Sequence, residues 1–261
     1  MDTLTRRNGG GPQEWVALAD QEKFLLILPN GTQVDTGDPT GEDQNWNDCR
    51  SDAPAAETEA DDVGFVAALM DWAKREFSVD PERVYATGAS NGGLMAYRLA
   101  TELGGRMAGI AVFIANLPAE SECSATTTPV SVFICNGTAD LLQPWAGRPD
   151  AHPRGTLHSA DATRDYWIAI NGCDSEPVET VSYPNVNGND GSTVSSSLYR
   201  NVATGAEVKF YAVQGGGHSM PTLRQALPRW IRNSLLLGDQ NQDIEGAQHA
   251  WAFLKRHTRQ E

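Results

Sequence analysis

The sequence predicts an α/β fold: one mostly parallel sheet with helices on both faces, forming a single domain over residues 1–261. Three observations carry this reading. Short apolar runs alternate with segments whose apolar residues recur at helical spacing. The runs, such as "PVSVFIC" at 129–135, are apolar at consecutive positions, as strands covered on both faces require. The chain is 40% hydrophobic and 21% charged, and its 261 residues suffice for one large core.

The elements follow in order. Residues 24–28, Phe-Leu-Leu-Ile-Leu, read as a buried strand closed by the turn Pro29-Asn30-Gly31. Residues 32–60, rich in Gly, Asp, Asn, Thr and Pro, read as a long polar loop carrying Trp46 and Cys49. Over 61–77, Val63, Val66, Leu69, Met70, Trp72 and Ala73 recur at helical spacing, with acids at the end where the helix dipole favours them. A short strand is predicted at 83–87 and a helix at 91–103. Buried strands follow at 109–115 and 129–135, a helix at 160–170, strands at 193–199 and 208–213, and an amphipathic helix at 243–257. The segment "NVNGNDG" (185–191) has its glycine one place late for a calcium loop and reads as a hairpin turn.

The formal net charge of −14 argues against nucleic acid or anionic membranes as partners and suits a neutral substrate. No stretch approaches the roughly 18 apolar residues of a membrane span. The four cysteines, Cys49, Cys123, Cys135 and Cys173, form no C-x-x-C pair, so zinc-ligand spacing is absent and no metal is expected. Their even number permits two disulfides in three connectivities, which would suit an oxidising compartment, or four free buried thiols. Residues 1–7 have no apolar core and read as no secretory signal.

The chemistry centres on "YATGASNGGLMAYRLA" (85–100), where Gly88-Ala89-Ser90-Asn91-Gly92 joins a strand to a helix. Such a turn is tight enough to force the serine into strained geometry and lift its hydroxyl clear of the sheet. A serine hydroxyl at neutral pH needs a base, and the base an orienting acid. In a sheet of this kind the chain order is Ser, acid, His, each after a successive strand. Asp140 is the first carboxylate after the 129–135 run, and His218 follows the 208–213 run through Gly215-Gly216-Gly217. Capping of its own turn is the competing role for Asp140. His249 and His257 lie on the terminal helix and His152 and His158 in a polar insertion, so His218 alone has the required place. The Asn91 N–H is the predicted oxyanion donor. A second donor belongs on a loop marked His-Gly after an earlier strand, and no such pair precedes Phe24.

At this point the chain resembles the polyhydroxybutyrate depolymerase-like and feruloyl-esterase-like α/β-hydrolases, close to family one carbohydrate esterases. The resemblance rests on "ALADQEKFLLILPNG" (17–31), "NWNDC" (45–49), the block at 61–100, "NGTAD" (136–140), "GGGH" (215–218) and "DIEGAQHAWAFLKRH" (243–257). It implies an α/β-hydrolase fold and a secreted or periplasmic serine esterase without cofactor, with Ser90 as nucleophile, Asp140 as acid and His218 as base. Asn136 stands where the family usually has histidine, and Ser219-Met220-Pro221 where it usually has tryptophan. The family's first strands and its His-Gly loop lie upstream of Met1, so an N-terminally truncated fold is expected.

The strand missing by this resemblance lies between the one ending at Pro29 and the one ending at Thr87. The gap is expected to be filled by another segment, by a shifted strand, or by a partner chain in a homo-oligomer joined through the exposed sheet edge. Trp46, Trp145 and Met220 are candidate walls of the substrate site. The expected function is serine carboxylic-ester hydrolysis through an acyl-enzyme. Its substrate would be a small-molecule or polymeric ester, of short-chain, hydroxyalkanoate, or feruloyl or acetyl type. The alternatives are a serine peptidase of the same fold, or a weakly active or inactive truncated hydrolase serving as a binding module.

Overall fold

The computed structural model describes residues 12–33, 38, 40, 44–53, 60–150, 153–224 and 228–259. Helix α1 (Pro12–Glu22) leads to a small antiparallel pair, β1 (Thr32–Gln33) and β2 (Gln44–Asn45). Helix α2 (Asp62–Glu76) follows, its first turn capped by the Asp61 carboxylate, which accepts the Gly64 N–H. Then come β3 (Tyr85–Ala89), α3 (Asn91–Glu102), β4 (Gly109–Phe113), β5 (Ser131–Gly137) and α4 (Ala160–Ile170). The chain closes with β6 (Glu179–Ser182), β7 (Thr193–Arg200), β8 (Glu207–Gln214), α5 (Arg229–Ser234) and α6 (Gly246–Leu254).

The main sheet has six strands in the order β3-β4-β5-β8-β7-β6. The first four are parallel; β7 and β6 extend the sheet antiparallel. Side chains alternate across it because successive strand residues point to opposite faces. Ile110, Val112, Val132, Ile134, Val208 and Phe210 pack against α3 and α4, where Trp167 stacks on Tyr97. Ala111, Phe113, Phe133, Cys135, Tyr211 and Val213 pack against α1 and α6. The α/β architecture with helices on both faces is therefore present. Every residue of β4 and β5 is buried, and each large side chain among them contributes roughly 1.5–3 kcal/mol.

Residues 24–28 correct the sequence reading: they are not a strand. Phe24 and Leu26 lie on the α1–α6 layer, while Leu25 and Leu28 are 42% and 50% exposed. Among the described residues the segment has no ladder neighbour, and a strand exists only through its neighbour. β3 is the terminal strand, and among the described residues nothing pairs with its outer edge. Trp251 of α6 touches both sides of this gap, with Phe24 at 4.2 Å and Tyr85 at 5.9 Å. The expectation that another segment or a shifted strand fills the gap is thus not met within the described chain.

The cysteines follow neither alternative. Cys49 and Cys123 form a disulfide, while Cys135 and Cys173 are free thiols. Cys135 belongs to the α1–α6 layer and Cys173 to the α3–α4 layer, so the sheet separates them. No helix among the described residues is long and apolar enough to cross a membrane.

Candidate active site

β3 ends at Ala89 and α3 begins at Asn91, which leaves Ser90 to turn the chain. Its φ of 56° and ψ of −124° lie where a side chain is strained by about 1–3 kcal/mol. The surroundings hold it there. The Ser90 N–H donates to the Phe113 carbonyl at 3.0 Å, and the Ser90 carbonyl accepts from Gly93 and Leu94 at 2.9 and 3.0 Å. Gly88 is obligatory, since a Cβ there would sit 2.0 Å from the Gly92 carbonyl oxygen. Ser90 thus stands at the N-terminus of α3, whose first N–H groups have no partner within the helix and favour negative charge.

The acid and the base come from adjacent parallel strands. Beyond their ends, β5 and β8 stay joined: Thr138 N–H donates to the Val213 carbonyl and Ala139 N–H to the Gly216 carbonyl, both at 2.9 Å. Gly215 N–H donates to the Thr138 hydroxyl at 2.9 Å. Only glycine permits this approach, since a Cβ on Gly137 would lie 2.3 Å from the Gly216 carbonyl oxygen. The two chains therefore enter their turns side by side, and His218 Nδ1 meets Asp140 Oδ2 at 2.7 Å, both residues 4% exposed. The other Asp140 oxygen accepts the N–H groups of Leu142 and Gln143 at 2.7 and 2.8 Å. One carboxylate thus both caps its turn and grips the imidazole.

The register sets Ala89, Phe113, Cys135 and Tyr211 abreast across four strands. Ser90, Asp140 and His218 consequently all emerge at the carboxyl edge of the sheet, where open α/β sheets bind ligands. Parallel strands stand about 4.8 Å apart, so β3 and β5 lie roughly 10 Å from each other across β4. Chemically, the arrangement offers a hydroxyl on a helix N-terminus and an imidazole oriented by a buried carboxylate.

The remaining sequence-predicted residues fall in different places. Asn91 opens α3, and its side chain binds Trp46 through the Trp46 N–H at 2.8 Å and carbonyl at 3.1 Å. Trp46 therefore lies beside the Ser90 turn. Trp145 packs on Phe210 at 5.4 Å and donates its indole N–H to Asp161 at 3.1 Å. Met220 is buried in the α1–α6 layer with Phe113 and Ile244.

The sequence reading missed Asp48, Arg50 and the structural part of Asn136. Asp48 is buried, paired with Arg50 at 2.7 Å, and accepts from Asn91 Nδ2 at 2.5 Å. The visible signal is a carboxylate two residues before an arginine in the polar loop that carries Trp46. The Asn136 amide clamps the exit of β4, accepting the Ala115 N–H at 3.1 Å and donating to the Ala115 carbonyl at 3.2 Å. Among the described residues, the grouping of metal-ligating side chains is Cys49, Glu102 and Cys123. Its two sulfurs are spent on each other in the disulfide.

No family model matches the sequence. The chain is 32% identical over 170 residues to a Nocardia uniformis subsp. tsuyamanensis protein assigned as an esterase, NocK, covering 61% of this chain and 48% of that one. It is 30% identical over 168 residues to feruloyl esterase B of Piromyces equi, covering 62% and 30%. It is 26% identical over 207 residues to the bifunctional acetylxylan esterase/xylanase XynS20E of Neocallimastix patriciarum, covering 78% and 26%. The chain thus spans half or less of the length of these relatives. In structure it matches an acetyl xylan esterase from Aspergillus awamori with a TM-score of 0.53 at 17% identity, over 82% of this chain and 81% of that one. The chain is therefore similar in sequence to feruloyl and acetylxylan esterases, and it shares the α/β fold of an acetyl xylan esterase.

Proposed function

We propose that this chain is a serine carboxylic-ester hydrolase. The observation that carries the reading is the buried Asp140–His218 pair, set on the same sheet edge as a serine held in strained geometry at a helix N-terminus. Ser90 attacks the ester carbonyl, and His218 Nε2 takes its proton while Asp140 fixes the ring through Nδ1. The Asn91 N–H holds the developing oxyanion, His218 returns the proton to the leaving alcohol, and water resolves the acyl-enzyme. No cofactor enters these steps.

The names of the relatives support feruloyl or acetyl esters as substrates, and a poly(3-hydroxybutyrate) depolymerase of Ralstonia pickettii among the matches supports hydroxyalkanoate esters. The Cys49–Cys123 disulfide supports an oxidising compartment, outside the cell or in a periplasm. Among the described residues nothing pairs with the outer edge of β3, which supports self-association there; a dimer in sedimentation velocity is the expected outcome.

Initial rates on p-nitrophenyl acetate and on a matched p-nitroanilide test the reaction class. Ester cleavage lost in Ser90→Ala, with little anilide cleavage, is the expected result. Faster anilide cleavage turns the reading to a peptidase, and undiminished hydrolysis in Ser90→Ala ends it.

A further inference from the structure

Five consecutive residues, 46 to 50, are each tied down by hydrogen bonds, an ion pair or a disulfide. The Asn91 amide holds both the N–H and the carbonyl of Trp46. The Asn47 N–H donates to Asp62 at 2.7 Å, and the Asn47 carbonyl accepts from Arg98 at 3.0 Å. Cys49 is bound to Cys123, and its carbonyl accepts the Glu122 N–H at 3.0 Å. Arg50 forms a bridge with Ser121 and donates to the Arg154 carbonyl.

Asp48, in the middle, is the unusual member. Its side chain is fully shielded from solvent, where a carboxylate persists only when paired. Arg50 answers it with a fork, Nε to Oδ1 at 2.8 Å and Nη2 to Oδ2 at 2.7 Å. Burying such a pair costs desolvation that a well-packed apolar residue would avoid. The disulfide at the next residue already closes the loop, so closure alone does not call for the ion pair. What the charge adds is a strong acceptor for Asn91 Nδ2, which approaches Asp48 Oδ2 at 2.5 Å. Both Asn91 donors and its carbonyl are then engaged, and the side chain has one conformation.

We infer that Asp48 is a positioning residue of the ester-cleaving site: through the Asn91 side chain it locks the Trp46 segment and the first N–H of α3 into one unit beside Ser90. This rests on the reading of Ser90 as nucleophile. An oxyanion donor acts only within a few tenths of an ångström of its place, and a misplacement of about 1 Å costs on the order of 100-fold in rate.

A double-mutant cycle tests it. Wild type, Asp48→Asn, Asn91→Ala and the double variant are assayed on p-nitrophenyl acetate, with reactive serines counted by a p-nitrophenyl phosphonate titrant. Each single change is expected to lower kcat per titrated site about 10- to 100-fold with KM within about threefold, and the double variant to be no slower than the slower single. A merely structural role would instead reduce the number of titratable sites and leave kcat per site intact. Unchanged kcat per site in Asp48→Asn, or a double variant slowed by the product of the singles, overturns the inference. If Asp48→Asn does not fold, Asn91→Ala decides, because it leaves the Asp48–Arg50 pair intact: unchanged kcat per site there overturns it. A Ser90→Ala variant as active as wild type would overturn the nucleophile reading instead, so the two failures are distinguishable.

Discussion

Replacing Asp140 by asparagine exchanges one oxygen of the carboxylate for an NH2 group, and the structure determines which one. Oδ1 accepts two backbone N–H groups, from Leu142 and Gln143, at 2.7 and 2.8 Å. An NH2 group at that position would face two donors and lose both bonds, so the amide oxygen must take it. The NH2 then faces His218 Nδ1, where the carboxylate oxygen now stands at 2.7 Å. An N–H donor there forces Nδ1 to be an acceptor, so the ring proton moves to Nε2 and blocks the nitrogen that the proposed mechanism uses to accept the Ser90 proton. A wrong tautomer in such a triad lowers kcat about 10⁴-fold, or roughly 5.4 kcal/mol at about 1.36 kcal/mol per decade. The turn keeps both its caps, so stability should change by less than about 1 kcal/mol. Steady-state hydrolysis of p-nitrophenyl acetate with a parallel thermal melt separates the two effects. A folded Asp140→Asn variant within tenfold of wild type would refute the claim that this carboxylate sets the imidazole's tautomer.

Ser90→Gly should abolish hydrolysis yet stabilise the fold by about 1 kcal/mol, because glycine accepts a φ of 56° without strain; a lower midpoint in urea would contradict the strain argument. Removing the Cys49–Cys123 bridge by Cys123→Ala frees a loop with a sequence separation of 74 residues and should cost about 4 kcal/mol of stability on the loop-entropy model, read as a shift of the urea midpoint. Glu245 is buried at the start of α6 beside Glu14, and burial first, then the Glu14 carboxyl, raises its pKa from 4.5 to about 7. The folded chain therefore holds a proton the unfolded chain has released, and stability should fall as pH rises from 4.5 through 7, by on the order of 1–3 kcal/mol. Glu245→Gln should flatten that slope in melts from pH 4.5 to 8; parallel curves would count against the shared proton.

Much of the fold was legible because its signals are local. The apolar runs behind β4, β5, β7 and β8 were placed within two residues of their observed ends, and the helix at 160–170 coincides with α4. The turn around Ser90 was legible for the same reason, since small residues flanking one serine between a strand and a helix leave few conformations. Helix α1 and strand β6 carry no such local signal. β6 is mostly exposed and carries no apolar run; its pairing with β7 makes it a strand. Residues 24–28 show the converse, an apolar run that joins no ladder among the described residues.

The sequence by itself therefore determined the periodic elements, their order, the strained serine turn, and the acid and histidine that follow later strands. These depend on residues close together in the chain, where φ/ψ preference and side-chain period act directly. Only the tertiary structure decided that Asp140 and His218 touch, that Cys49 meets Cys123 while Cys135 and Cys173 stay apart, and that Asp48 reaches Asn91 across 43 positions. Each of these contacts depends on how two distant segments are set against each other by the sheet register and by glycines that let backbones approach. Local pattern does not contain that relative placement, because it is fixed by packing the whole core at once.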